Sequence, residues 1–275
     1  PKEPHYFALH GQTVDFQGPG DVDTVNRVSV TDRDAYLRLF PAEHDFLALG
    51  DGSVSTLYYS ERAVPEIVAV NPDMRVVVIL REPVDRAYSS FQYLKTRGFE
   101  PEEHFGAAVA DEERRKAQNW HHLWHYTSMS YYAADLRRLQ EGLGRDQVGV
   151  FFYDDLQSDY ASTLRRVQTF LGLPPETEQD LDVPRVNVSG TPKLLLLQKA
   201  IQKATRNELL RRTVKGMTSY RLREKIRSSG LRPAAATAQE RAQLEPLFAA
   251  DLVELAVLVD GPVPRWLRDA GPVRG

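Results

Sequence analysis

VVVILREPVDRAYSSF, residues 76–91, sets five apolar residues in a row, then an arginine, then a proline at the head of a helical pattern. Val76 to Leu80 is rich in β-branched side chains and has no polar alternation, the composition of a short parallel strand covered on both faces. Pro83 suits the first helical turn, where its missing N–H costs nothing and its φ is already helical. Arg81 therefore stands at the carboxyl end of a strand and beside a helix N-terminus, two places where open α/β sheets collect anions. Arg86 and Ser89 follow at spacings that share one helical face. A guanidinium fork matches phosphate and a hydroxyl completes its shell. An arginine that merely closes the strand and pairs with Glu82 or Asp85 is the alternative. The combination of Arg81, Pro83, Arg86 and Ser89 at this spacing favours an anion site.

Outward from this run, residues 45–49 read as a short strand, 61–70 as a helix and 74–80 as the central strand. Helical patterns follow over 83–97 and 102–117, then a polar, aromatic segment over 119–130 and a helix over 131–143. Residues 147–152 form a second buried strand, and 161–171 a helix closed by Gly172 and Pro174. The alternation of strand and helix predicts an α/β fold, a mainly parallel sheet with helices on both faces. Residues 176–191 carry one proline, several acids and little periodicity, and read as a loop over the site. From Leu194 onward the pattern is helical, with a break over 230–236.

The chain has 275 residues, 42% of them hydrophobic, enough for one large domain with a sizeable core. Residues 1–190 form its α/β part and 191–275 a helical C-terminal region. A net charge of -3 argues against a generally basic nucleic-acid binder. Arginines cluster between Arg206 and Arg232, together with Lys199, Lys203, Lys215 and Lys225, either as a solvated helical face or facing an anionic acceptor or cofactor. Cysteine is absent, which excludes disulfides, thiolate catalysis and cysteine-based metal sites. No apolar run reaches membrane-spanning length, and no signal-peptide pattern follows Pro1.

The segment Arg81, Pro83, Arg86, Ser89 (RxPxxRxxS) resembles the 3'-phosphate-binding motif of sulfotransferases that use 3'-phosphoadenosine 5'-phosphosulfate (PAPS). PKEPHYF at the N-terminus is similar to a segment of the heparan-type and bacterial members. YYAADLRRL, VGVFFYDDL and STLRRVQTFLGLP follow in the family's order and spacing, so the resemblance spans most of residues 1–190 and thins beyond. It implies a P-loop-NTPase-like three-layer α/β sandwich, and an enzyme that moves a sulfuryl group from PAPS to a hydroxyl or amine of a small-molecule, carbohydrate or carrier-bound acceptor. The product nucleotide would be 3'-phosphoadenosine 5'-phosphate (PAP), and no metal would be required. Secreted carbohydrate sulfotransferases commonly carry disulfides, so the lack of cysteine points to the cytoplasm.

In-line sulfuryl transfer needs an acceptor oxygen, a base for its proton and positive groups around the leaving oxygens. Through the resemblance Glu3 becomes the leading base, with His5 supporting it, contacting the acceptor or serving structure. Trp120, His121, His122, Leu123, Trp124, His125 and Tyr126 supply a second set. Its aromatic rings would wall an acceptor pocket and His122 would meet the acceptor, unless the segment is a half-buried loop packed on the core. Tyr153, just after the second strand, matches the adenine-facing aromatic of the cytosolic branch. Arg185, Asn187, Ser189 and Lys193 would close over the 3'-phosphate.

The chain departs from the family in two places. Relatives place a strand and a glycine-rich, lysine-bearing 5'-phosphosulfate loop ahead of the KEPHYF-like segment, and neither residues 11–20 nor 49–55 provide a substitute. The expectation is that an N-terminal part bearing this loop precedes Pro1; a loop supplied elsewhere and a degenerate nucleotide-binding relative are the alternatives. Gly52 stands where the heparan-type branch has a lysine, which weakens a heparan-like acceptor. A phosphoryl-transferring P-loop kinase is the other enzyme reading, but neither a Walker lysine nor a magnesium-binding carboxylate pattern is visible.

Overall fold

The structure, a computed structural model, describes residues 1–40, 45–174, 190–192, 231–233 and 235–270. Short helices α1 (Tyr6–Leu9), α2 (Val25–Val28), α3 (Arg33–Leu37) and α4 (Ser55–Tyr58) lead into α5 (Ser60–Val70) and strand β1 (Val76–Leu80). Helices α6 (Pro83–Thr96), α7 (Phe105–Ala110), α8 (Glu112–Ala117) and α9 (Ala133–Leu143) separate β1 from β2 (Val148–Phe152). Then come α10 (Tyr153–Ser158), α11 (Tyr160–Leu171), the short strands β3 (Gly190–Pro192) and β4 (Leu231–Pro233), and helices α12 (Ala238–Leu258) and α13 (Arg265–Arg268). Among the described residues no helix is long and apolar enough to cross a membrane.

Strands β1 and β2 pair in parallel, with Val76 opposite Val148 and Leu80 opposite Phe152. Side chains alternate across the sheet. Val78, Leu80, Val148 and Phe152 point into a core filled by α1, α5, α9 and the end of α12. Gly149 and Phe151 face the other way, towards α11, whose Phe170 ring approaches so closely that a Cβ on Gly149 would lie 2.8 Å from it. Ile79, on that same face of β1, is 49% exposed among the described residues. The expected burial of 76–80 on both faces is therefore corrected: among the described residues the covering helix packs on β2, and β1 is shielded on one side.

Helix α6 begins as its sequence dictates, with Pro83 at its first position and Glu82 as cap. It buries Val84, Ala87, Phe91 and Leu94, spaced three and four apart, against α7 and the Leu244 and Phe248 side chains of α12. Each large apolar side chain so buried contributes about 1.5–3 kcal/mol. Further along α12, Leu255 and Leu258 enter the first core, so this one helix joins both clusters.

Two other expectations change. Residues 45–49 are irregular rather than a strand, with Phe46, Leu47 and Leu49 exposed. The helix expected over 102–117 is two helices meeting at Asp111, whose carboxylate is drawn back onto Arg114 and Arg115. Gly172 does close α11, in the left-handed region at φ 73°. The loop read over 176–191 lies, up to residue 189, outside the described residues, as does the helical pattern from 194 to 230.

Candidate active site

The N-terminal segment is held by the loop before α4. Gly52 donates its N–H to the Lys2 carbonyl (3.2 Å), His5 donates its own to Ser53 Oγ (2.9 Å), and His5 Nδ1 lies 2.9 Å from Ser55 Oγ. These contacts hold His5 in the left-handed region at φ 53°, a conformation a non-glycine residue keeps only when its surroundings over-determine it. A Cβ on Gly52 would sit 3.3 Å from the Lys2 carbonyl oxygen, so a side chain at this position would press on the clasp. Glu3 is half-buried beside this clasp. Burial pushes its carboxyl above the usual range, Lys2 opposes the shift and Asp51 adds to it.

Glu3 and His5 line a cavity of about 450 Å³ together with His121 and His122. Val25 and Val28 of α2, Val54, and Tyr93 and Leu94 of α6 give it apolar walls, and Arg27 and Arg97 also line it. The structure thus brings three candidate residues from two distant parts of the sequence, Glu3 with His5 and His122, to one cavity.

The histidines differ in what their nitrogens do. His121 Nδ1 accepts from the Leu123 amide (3.0 Å), so Nε2 carries the proton and faces Asp21 Oδ1 at 3.2 Å. Burial, with His125 and His5 nearby, holds it neutral, its pKa near 3. His125 Nε2 meets the Trp120 carbonyl (3.1 Å) and Nδ1 the Tyr58 hydroxyl (3.0 Å), and burial lowers its pKa to about 4. His122 is fully buried, and among the described residues neither of its nitrogens has a hydrogen-bond partner. Its ring rests between those of His5 (centroids 5.3 Å apart), His121 and Tyr59, and burial keeps it neutral. An unpartnered imidazole in a cavity wall can accept a hydrogen bond from a hydroxyl or amine placed there.

The other aromatic side chains of this segment take a different place. Trp124 and Tyr126 are fully buried, and with Trp120 they surround the Arg115 guanidinium, 5.2–5.6 Å from the three ring centroids. Arg115 forms a two-pronged pair with Glu100 (2.8 and 2.9 Å), which also accepts from the Tyr126 hydroxyl. Trp120, Trp124, His125 and Tyr126 are thus turned into the core rather than towards the cavity, in contrast to the expected acceptor wall. Asp21, buried completely, accepts from the Gly18 amide (2.8 Å), the His121 amide (3.1 Å) and Trp124 Nε1 (2.9 Å). A Cβ on Gly18 would fall 2.6 Å from that carboxylate, so the site needs glycine there. Asp21, Glu100 and Arg115 carry no sequence signal beyond their charge, and only the fold reveals them.

At the end of β1, the Arg81 guanidinium lies over the Tyr153 ring, 4.8 Å from its centroid, and makes no hydrogen bond or ion pair among the described residues. Its carbonyl accepts from the Tyr132 hydroxyl (2.9 Å). Ser89 lies on α6 two turns further on. Arg86 is engaged internally: Nε donates to Ser130 Oγ (2.6 Å) and Nη2 to the Tyr126 carbonyl. Burial lowers its pKa, with Tyr132 and Glu112 opposing. The amides that open α6 are also engaged, since Glu82 accepts from Val84 (3.1 Å) and Asp85 (2.8 Å). Arg81 and Tyr153 come together, whereas Arg86 braces the loop before α9. Arg185 and Lys193 lie outside the described residues. Helix α6, about 20 Å long at 1.5 Å per residue, connects the Arg81 end to the cavity, where it contributes Tyr93, Leu94 and Arg97.

The model of the Sulfotransferase family matches residues 37–178, which include the RxPxxRxxS run and strands β1 and β2. The crystal structure of a sulfotransferase from Alicyclobacillus acidocaldarius is similar in fold, with a TM-score of 0.71 and 25% identity, over 97% of this chain and 86% of that one. Among curated proteins, none matches the sequence.

Proposed function

The chain belongs to the sulfotransferase family, and from that premise we propose that it moves a sulfuryl group from PAPS to a hydroxyl or amine held in the cavity of Glu3, His5 and His122. The observation that carries this reading is Arg81, a permanent cation at the carboxyl end of β1, resting on Tyr153 with no partner among the described residues. A guanidinium in that position fits a 3'-phosphate, and the neighbouring tyrosine offers an aromatic face to the nucleoside. Ser89 adds a hydroxyl on α6, while Arg86 keeps that helix and the 126–130 turn in register.

Within the cavity the acceptor hydroxyl or amine approaches the sulfur in line with the bond to the 5'-phosphate. As the new bond to sulfur forms, that S–O bond breaks and its electron pair leaves with the phosphate. Glu3 takes the acceptor proton. Its raised pKa supports this role, since a carboxylate displaced towards neutrality is a better base at working pH. His122, neutral and unpartnered, orients the acceptor by accepting a hydrogen bond, and His5 backs Glu3. The walls formed by Val25, Val28, Val54 and Leu94 accommodate the apolar part of a small acceptor.

Calorimetry with PAP and transfer assays from PAPS on the full-length protein test the proposal. Arg81→Ala should abolish measurable PAP binding. Glu3→Gln should bind PAP normally and lower kcat by about 10²–10⁴-fold, the range of a lost general base. Normal PAP affinity in Arg81→Ala would overturn the donor assignment.

A further inference from the structure

The first turn of α6 carries two carboxylates beside the cation proposed to hold the 3'-phosphate. Glu82 follows Arg81 directly and folds back onto the helix amides, and Asp85 lies in the same turn. Left alone, both would repel an anionic nucleotide at Arg81. They are not left alone. Arg241, in the first turn of α12, reaches across with Nη1 3.1 Å from Glu82 Oε2 and Nη2 bonded to Asp85 Oδ1. Its side chain is 28% exposed and that of Glu82 16%, so solvent screens the contact less than on an open surface. Glu245, 3.7 Å away on the same helix, is a third carboxylate facing this guanidinium.

The same helix reaches Arg81 by a second route. Asp251 of α12 accepts from the amides of Tyr132 (2.8 Å) and Ala133 (3.1 Å) at the start of α9, and the Tyr132 hydroxyl donates to the Arg81 carbonyl. Arg81 is therefore flanked on both sides by residues that α12 holds, although α12 lies outside residues 37–178, which carry the family match.

We infer that Arg241 is a positioning residue for the donor nucleotide: it cancels the charge of Glu82 and Asp85 and fixes the turn that presents Arg81. This rests on the reading of Arg81 as the 3'-phosphate ligand. Two consequences are separable from simple stabilisation. Donor affinity should depend on Arg241 while the acceptor side does not. Removing the repelling carboxylate should also compensate for loss of the arginine, which a purely structural role would not allow.

PAP affinity by calorimetry and KM for PAPS and acceptor, measured on full-length variants checked by circular dichroism, provide the test. Arg241→Gln should weaken PAP binding about tenfold and raise the PAPS KM alike, with acceptor KM and kcat near the parent values. Arg241→Lys, which keeps the charge without the fork, should lose less than Arg241→Gln. Arg241→Gln combined with Asp85→Asn should recover to within about threefold of the parent, because the uncompensated charge is gone. Should Arg241→Gln fail to fold, Asp85→Asn alone decides the matter: PAP binding tightens if Asp85 repels the nucleotide, and unchanged or weaker binding overturns the inference. In folded variants, unchanged PAP affinity in Arg241→Gln, or no recovery in the double variant, does the same. Arg81→Ala run in parallel separates the two levels. If it binds PAP normally, the donor site itself is wrong; if it loses binding while Arg241→Gln does not, only the role of Arg241 falls.

Discussion

A fully buried imidazole with two idle nitrogens is costly, because each buried polar group left without a partner forfeits about 1–3 kcal/mol. His122 is such a residue among the described ones, and the acceptor-orienting role proposed for it would account for keeping it. His122→Leu replaces it with an apolar side chain of similar size, so the unfolding free energy should stay level or rise by about 1 kcal/mol. Transfer, however, should fall at least tenfold, mostly through acceptor KM. A destabilised variant with normal turnover would show that His122 serves packing alone. Single residues were unequally legible in the sequence. Arg81 could be found because a strand, an arginine and a proline in succession constrain where the guanidinium must be. Nothing comparable distinguished His122 from His121 and His125, since residues of one short loop face different ways only once their partners are known. Those partners are remote: the Asp21 carboxylate that fixes His121 lies 100 positions away.

At the scale of elements, the 119–130 segment is shaped by three buried carboxylates rather than by its own propensities. Asp21 holds His121 and Trp124, Glu100 pairs with Arg115 and Tyr126, and Glu112 accepts four bonds from Thr127 and Ser128, at 2.5–2.9 Å. The Arg115 to Glu100 pair is wholly shielded from solvent. Removing one partner of such a pair leaves the other charge buried and alone, so Arg115→Ala should cost about 3–5 kcal/mol in denaturant unfolding. Adding Glu100→Gln should cost less than the two single changes summed, because no lone charge then remains. Additive losses would mean that the pair does not act as a unit. This packing explains why aromatics read as an acceptor wall became a cage around an arginine: composition shows that rings are present but not which cation they enclose. The periodic elements were more legible. Helix α6 and strands β1 and β2 declare themselves by spacing, proline and β-branching, whereas 102–117 divides at Asp111 because that carboxylate turns to Arg114 and Arg115, a choice that helix propensity does not encode.

For the whole molecule, four buried histidines link stability to pH. His5 comes from the N-terminal segment and His121, His122 and His125 from the 119–130 segment, and burial is the leading cause of the lowered pKa of each. Free in the unfolded chain they titrate near 6.5. A folded pKa below the unfolded one means that between the two values the unfolded chain binds protons and the native state does not. The stabilisation is therefore complete above pH 6.5 and is lost as pH falls, down to about 4 for His125 and about 3 for His121. At pH 5 each of these two should have cost the fold roughly 2 kcal/mol relative to pH 7. Glu3, Asp21, Asp135 and Asp251 act in the opposite sense, since burial raises their pKa values and the native state takes up their protons first. Their window opens from the ordinary carboxylate range upward, so it offsets the histidine term most at its acid end. The urea midpoint should accordingly drop between pH 7 and pH 5. His125→Gln, which retains hydrogen-bonding capacity near Tyr58 and Trp120 without a titrating ring, should make that drop shallower by about one histidine's share. A midpoint flat across this range, or a slope unaltered by His125→Gln, would show that these rings reach protons as freely in the fold as outside it.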